Sequence, residues 1–239
     1  MFERVTVPLT LNPDSLADFD SSFMAARHSD RCRVILVTGG VRYFCTGMDL
    51  DYVLDSYEPG FATQFVNTLR MVRNSPKPVL ACVEGAVIAG GMALLSVADI
   101  VVSSEVASFR LPEASFGVAP AIAIACLRER IAPSALKFLA WTSSAITARR
   151  AFDIGLVDYI STPDALDRDV RTLSKRLAGL PSAVLSASRT MLGIRGSFDD
   201  ALEAGCDLLR SQLNDPGIKE RIRCYREVAK SFNGECVDD

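Results

Sequence analysis

Histidine is nearly missing from this chain: of 239 residues one is His, His28, in a polar N-terminal stretch. A Ser–His–Asp triad or a His-rich metal site is therefore close to excluded, since each needs imidazole as base or ligand. The seven cysteines (32, 45, 82, 126, 206, 224 and 236) are scattered, form no CxxC pair and are odd in number. They read as reduced thiols rather than a disulfide framework or zinc site, and no metal is expected. The opening MFERVTVPLT has no basic segment followed by an apolar one, so no secretory signal is read and a cytoplasmic protein is expected. No apolar run approaches the roughly 18 residues that a membrane span requires. Neither charge dominates: 26 Lys and Arg face 29 Asp and Glu, for a net charge of -3. Nothing in that balance recommends a nucleic-acid surface. What remains, 49% hydrophobic and 23% charged residues, is the composition of one large globular domain or two small ones.

Along the chain, ERVTVPLTL (3–11) reads as a strand interrupted by Pro8, hence an edge. Asp14-Ser15 can cap a helix to about His28. RVILVT (33–38) is a β-branched run of the kind buried strands use, ending at Gly39-Gly40. Val41 to Leu50 reads as a loop returning to a helix, and Phe61 to Asn74 as an amphipathic helix stopped by Ser75-Pro76-Lys77-Pro78. Strands are expected at 79–83 and 100–104, helices at 120–130 and 133–141, and a Thr147-capped helix closing at Gly155 before a strand, LVDYI. From Pro163 the pattern is helical throughout, at about 163–178, 181–193, 197–213 and 216–231. Alternation followed by helices alone, with no linker, gives one α/β domain: a core over 1–160 and a helical extension over 161–239.

The chemistry concentrates between Val83 and Pro120, VEGAVIAGGMALLSVADIVVSSEVASFRLPEASFGVAP. Gly90-Gly91 opens a helix, so free backbone N–H groups stand at the positive end of its dipole. Such donors suit an oxygen that becomes anionic during a reaction. Glu113 sits among Phe109, Leu111 and Phe116; burial there raises a carboxyl towards neutrality and makes it a proton-transfer candidate. Donors plus one carboxylate suffice for enolate chemistry.

Four landmarks occur in order: VILVTGG with FCTGMDL, NSPKPVLACVEGAVIAGGMAL, ADIVVSSEVASFRLPEASFGVAP, and ITARRAFDIGLVDYI. Together with the tail PGIKERIRCYREVAKSF they resemble the crotonase (enoyl-CoA hydratase/isomerase) superfamily across roughly residues 30–235. The resemblance implies a crotonase-like spiral of ββα units with a helical C-terminal trimerisation region, in a homo-trimer or hexamer. It also implies an acyl thioester as substrate, carried on CoA or on the phosphopantetheine of an acyl carrier protein, and no further cofactor. Residue by residue, the oxyanion donors fall on the backbone N–H groups of Met48 and Gly90, flanked by Gly47, Ala89 and Gly91. The second family glutamate falls on Glu113, whereas the first falls on Ala93. Hydratases use the pair to activate water and to protonate carbon separately, so the loss of one is a departure. The N-terminus is also shorter than the family's usual opening hairpins.

Two features narrow the subgroup. The Cys45-Thr46-Gly47-Met48-Asp49 loop and the lipophilic Val118 to Ile124, which includes Pro120, resemble the dehydratases of polyketide β-branching cassettes. Those act on 3-hydroxy-3-methylglutaryl carried by an acyl carrier protein. Alternatives stay open: a Δ3,Δ2-enoyl isomerase, a 3-methylglutaconyl thioester decarboxylase, or a catalytically silent partner subunit. Tyr43 and Cys45 are candidates for the acyl pocket, with plain packing as the other reading. Asp49 reads first as a helix cap. The last helix, with Lys219, Arg221, Arg223, Arg226 and Lys230, reads as a solvated face, and a phosphate contact is the sharper alternative.

Overall fold

The computed structural model describes residues 2–182, 185, 188 and 198–234. Its spine is a five-stranded, wholly parallel sheet in the order β1 (Phe2–Thr6), β2 (Val34–Thr38), β4 (Val79–Val83), β6 (Ile100–Ser104) and β9 (Tyr159–Ser161). A parallel sheet needs cover on both faces, and the central strands show it: all five residues of β4 are buried. Alternate residues serve two cores. Ile35, Val37, Val79, Ala81 and Val83 join the main core, while Val34, Leu36, Leu80 and Cys82 face Leu166 and Val170 of α8 (Leu166–Ala178). The period of two is that of the pleat.

A second sheet lies after the ends of the first. It runs β3 (Tyr43–Cys45), β5 (Ala86–Ile88), β7 (Ser108–Arg110), β8 (Ile146–Thr147), parallel until the antiparallel β7–β8 pair. Three of the long strands, β2, β4 and β6, therefore each feed a short one and then a helix. β2 and β3 lead to α2 (Leu50–Asp55) and α3 (Gly60–Arg73), β4 and β5 to α4 (Gly90–Ser96), and β6 and β7 to a single 3-10 turn (Glu113–Phe116) and α5 (Ala121–Leu127). α6 (Pro133–Thr142), β8 and α7 (Ala148–Asp153) follow. The spiral of ββα units is thus present. Its short strands were read as loop (41–50) or passed over (86–88, 108–110), because three residues hold too little periodicity to register.

Other boundaries moved for local reasons. The N-terminal strand stops at Thr6, and Leu11 instead bridges Met48. α1 (Pro13–His28) is capped by Asn12, not Asp14-Ser15: the Asn12 side chain accepts from Ser15 N–H at 2.9 Å while the Ser15 hydroxyl accepts from Asn12 N–H at 3.0 Å. The resulting capping box satisfies two orphan donors at once. Thr147 caps α7 as read, and Gly155 at φ 82 follows that helix. The strand after it begins at Tyr159, since Leu156 and Val157 are buried where the chain leaves the helix. α8 starts at Leu166 rather than 163. The helix expected at 181–193 lies largely outside the described residues. Two helices end the fold, α9 (Phe198–Leu213) and α10 (Pro216–Gly234). They pack back on α5, α3 and α2 and on the 3-10 turn, so one contiguous core runs from Val5 to Ile222. Among the described residues no helix is long and apolar enough to cross a membrane.

Candidate active site

The ends of the short strands and the last two helices surround a largely apolar cavity that opens in part to solvent. Three segments bring polar groups to it. The first is the loop after β3. Leu11 holds it by two ladder bonds, accepting from Asp49 N–H at 2.9 Å and donating its own N–H to Gly47 O at 2.8 Å. Both bonds involve the neighbours of Met48, and alternate groups of a strand point to opposite sides. The Met48 N–H is thereby turned away from Leu11, and Met48 lines the cavity.

The second segment is the turn from β5 into α4. Ala89 carries φ 51 and ψ -122, a conformation rare for a residue with a side chain. It donates its N–H to Arg110 O at 3.0 Å, and the next residue, Gly90, starts the helix. The N–H of a first helical residue has no intrahelical acceptor. The two loops touch. Gly47 sits at φ 88, and a Cβ there would lie 2.6 Å from the Ala89 Cβ and 2.9 Å from Gly90 N. A Cβ on Gly91 would lie 2.7 Å from Cys45 O. Only glycines permit so close an approach of the two loops.

The third segment is the 3-10 turn that Glu113 opens. Its peptide carbonyl accepts from Val118 N–H at 3.0 Å, closing the turn. The side chain is 9% exposed, and one carboxyl oxygen, Oε2, is buried with no hydrogen-bond partner among the described residues. Burial pushes its pKa up to about 7, against weaker opposing pulls from its own backbone N–H and the Arg110 guanidinium. Arg110 is occupied elsewhere, its Nε–H donating to Ser143 O at 2.7 Å. A carboxyl poised near neutrality, in a cavity that Met48 and Gly90 also line, has the chemistry of a proton-transfer group.

Of the residues singled out from sequence, Met48, Ala89, Gly90, Glu113 and Pro120 line this cavity, as do Thr46, Phe116 and most of the lipophilic segment from Val118. Tyr43, Cys45, Gly47, Asp49, Gly91 and Ala93 do not. Gly47 and Gly91 support it from behind through the close approaches just described. Cys45 is fully buried with its thiol pushed up to about 12 by burial, so it is packing and no nucleophile. Tyr43 stands on β3 with the Arg42 guanidinium over its ring. Asp49 is the cap of α2, accepting from Asp51 N–H at 3.0 Å and Tyr52 N–H at 3.2 Å. Ala93 is fully buried in α4, away from the cavity. Sequence reasoning missed the far wall: Phe65 of α3, Leu209 and Leu213 of α9, and Ile222 and Tyr225 of α10. The amphipathic pattern of the tail was the available signal. Nor is the face of α10 simply solvated, since Arg221 donates to Phe116 O at 2.8 Å and Arg226 pairs with Asp51 at 2.7 Å. The Lys230 side chain lies outside the described residues.

The architecture recurs in known proteins. An enoyl-CoA hydratase from Mycobacterium avium superposes with a TM-score of 0.81 at 25% identity, over 91% of this chain and 86% of its own. A chain described as a polyketide biosynthesis enoyl-CoA hydratase from Bacillus subtilis does so at 0.81 and 20% identity, over 92% and 88%; at that identity the likeness concerns the fold alone. By sequence, the carnitinyl-CoA dehydratase of Proteus mirabilis (strain HI4320) is 30% identical over 193 residues, 79% of this chain and 73% of the relative. The crotonyl-CoA hydratase of Syntrophomonas wolfei is 26% identical over 230 residues, 92% and 88% respectively. The family model described as enoyl-CoA hydratase/isomerase matches residues 2–234, nearly the whole chain. With the ββα spiral, the paired loops and the buried glutamate already in place, that match is decisive: the chain belongs to the enoyl-CoA hydratase/isomerase family and is an enzyme of the hydratase/dehydratase type.

Proposed function

We propose that the protein eliminates water from a 3-hydroxyacyl thioester through an enolate, using Glu113 as its one acid–base group. The observation that carries this is the buried Glu113 carboxyl, with an unpartnered oxygen, in the same cavity as the Met48 and Gly90 amides. The thioester carbonyl sits between those two N–H groups, whose bonds strengthen as its oxygen becomes negative. That is stabilisation of the transition state over the ground state, and one such donor is typically worth about 10²–10³ in rate. Glu113 takes the α-proton and returns it to the departing hydroxyl on the same face. A tertiary hydroxyl leaves more readily than a secondary one, so the absence of a second carboxylate at Ala93 favours a branched substrate. On that ground, and from the resemblance of the 45–49 loop and the 118–124 segment, our reading is 3-hydroxy-3-methylglutaryl on an acyl carrier protein. The assembly we propose is a trimer or a multiple of three.

A second reading of the acyl group has its own observation. Apart from Glu113, the cavity lining contains no charged residue among the described residues. A distal carboxylate buried there would lack a counter-charge, at a cost of several kcal/mol. A hydrocarbon 3-hydroxyacyl thioester avoids that cost. Both readings are tested by offering 3-hydroxy-3-methylglutaryl and 3-hydroxybutyryl thioesters, each on CoA and on carrier protein, and following product mass. Loss of water from the first favours the branched dicarboxylic substrate, and from the second the hydrocarbon one. Loss of CO₂ in place of water would overturn the dehydratase reading.

A further inference from the structure

The cavity holds a second protic side chain for which the chemistry above has no use. Tyr225 of α10 lines it, and its ring packs on Phe116 with centroids 4.9 Å apart and planes at 50°. Phe116 closes the same 3-10 turn that Glu113 opens. Burial raises the phenol pKa; Arg110 pulls it down and Glu113 pushes it up, so phenol and carboxyl lie within electrostatic reach. No hydrogen bond occupies the phenol oxygen among the described residues. The other hydroxyl at the cavity, on Thr46, is already engaged, donating to Leu9 O at 2.9 Å. The helix is anchored on both sides of the tyrosine. Arg221, one turn earlier, donates to Phe116 O at 2.8 Å, and Arg226, the next residue, pairs with Asp51 at 2.7 Å. An uncommitted donor is thus held at a defined place in the cavity of the acid–base group.

We propose that Tyr225 positions the β-oxygen of the substrate, its phenol O–H donating a hydrogen bond to the hydroxyl that departs in dehydration; this rests on the thioester reading of the site. The electron count closes without further reagents. Glu113 takes the α-proton, and the C–H pair becomes the α,β double bond. The β C–O bond breaks with its pair going to oxygen, and the proton on Glu113 passes to that oxygen to give water. Tyr225 keeps its own proton throughout. Its hydrogen bond shortens as negative charge gathers on the departing oxygen, and bonds to charged atoms are the stronger ones. With Ala93 where a second carboxylate would stand, no other free side-chain donor among the described residues of the lining can do this.

The test compares two reactions in wild type, Tyr225→Phe and Glu113→Gln. One is dehydration of whichever thioester wild type turns over fastest among 3-hydroxy-3-methylglutaryl and 3-hydroxybutyryl, each on CoA and on carrier protein. The other is exchange of deuterium from α-deuterated butyryl-CoA into water, which needs the amides and Glu113 but involves no β-oxygen. Phenylalanine keeps the ring on Phe116. Expected for Tyr225→Phe is a fall in dehydration kcat of about 10- to 100-fold, with KM and the exchange rate within about threefold of wild type. Glu113→Gln loses both reactions. Unchanged dehydration in Tyr225→Phe, or a parallel loss of exchange, overturns the role. So does a wild type that exchanges but does not dehydrate, which leaves the enolate chemistry standing. A wild type that does not exchange α-deuterium refutes the enolate reading itself, and this inference with it.

Discussion

Replacing Glu113 by glutamine is expected to stabilise the protein while stopping its chemistry, and the sign depends on pH. The folded carboxyl titrates at about 7, against an ordinary 4.5. Each unit of difference corresponds to about 1.4 kcal/mol, so the ionised form costs the folded state about 3 kcal/mol. Between pH 4.5 and 7 the folded chain holds a proton that the unfolded chain has released. Stability contributed by this group therefore falls as pH rises through that window, and above 7 the cost is complete. Glutamine has the same shape and no charge, so the cost disappears. At pH 8 Glu113→Gln should be the more stable protein by up to about 3 kcal/mol, which for a domain of this size is roughly 6–12 °C in Tm. At pH 5 the difference should largely vanish. Thermal unfolding of both proteins at the two pH values measures this directly. Equal differences at pH 5 and pH 8 would refute the argument, because they would show that burial does not perturb the carboxyl. In parallel, dehydration should fall by about 10²–10⁴-fold, and wild-type kcat/KM should rise with pH and level off above 7. A variant keeping more than about a tenth of the rate would remove Glu113 from the mechanism.

The other expectations are more local. Gly47→Ala forces a Cβ to 2.6 Å from the Ala89 Cβ at φ 88, so the oxyanion loops should part. Loss of turnover by at least about 10²-fold, with the fold retained by circular dichroism, is the expected pattern. Arg130→Ala removes donors at 2.9 Å to Ala98 O and 3.1 Å to Leu156 O, and an ion pair with Asp158. The stranded carbonyls should cost about 2–4 kcal/mol in urea unfolding with little effect on kcat. For assembly, light scattering at micromolar concentration should give a trimer or a multiple of three; a clean monomer would count against the proposed assembly.

How much of this was legible depends on the length of each signal. The β2, β4 and β6 strands were plain because a parallel sheet covered on both faces requires continuous apolar runs, and VILVT, VLACV and IVVSS are such runs. The helices of α1, α3 and α10 were plain through period and punctuation. The second sheet was not. β3, β5 and β7 are three residues each, and their pairing is decided by neighbours more than 20 residues away, such as Tyr43 opposite Ala86 and Val87 opposite Phe109. No local window contains that information. The N-cap of α1 failed for a different reason: Asn12, Asp14 and Ser15 are all cap formers, and only the bond from Ser15 N–H to Asn12 selects among them.

The same division governs the site. Met48, Gly90 and Glu113, which line one cavity, were legible as candidates because each belongs to a motif with its own chemistry: a glycine-flanked turn, a helix opening, a carboxylate between apolar residues. Among the residues around them, Cys45 and Ala93 adjoin the motif in sequence but are buried in the core. Tyr225 shows the converse. In sequence it is one tyrosine in a strongly charged helix, and nothing near it marks a cavity. It lines the cavity of Glu113 where Arg221 and Arg226 tie α10 to Phe116 and Asp51, residues more than 100 positions earlier. Charges that look like a solvated face are here what docks the helix. The division into an α/β core and a helical extension is therefore no boundary of function: the core supplies the amides and the carboxyl, and the extension closes the cavity over them.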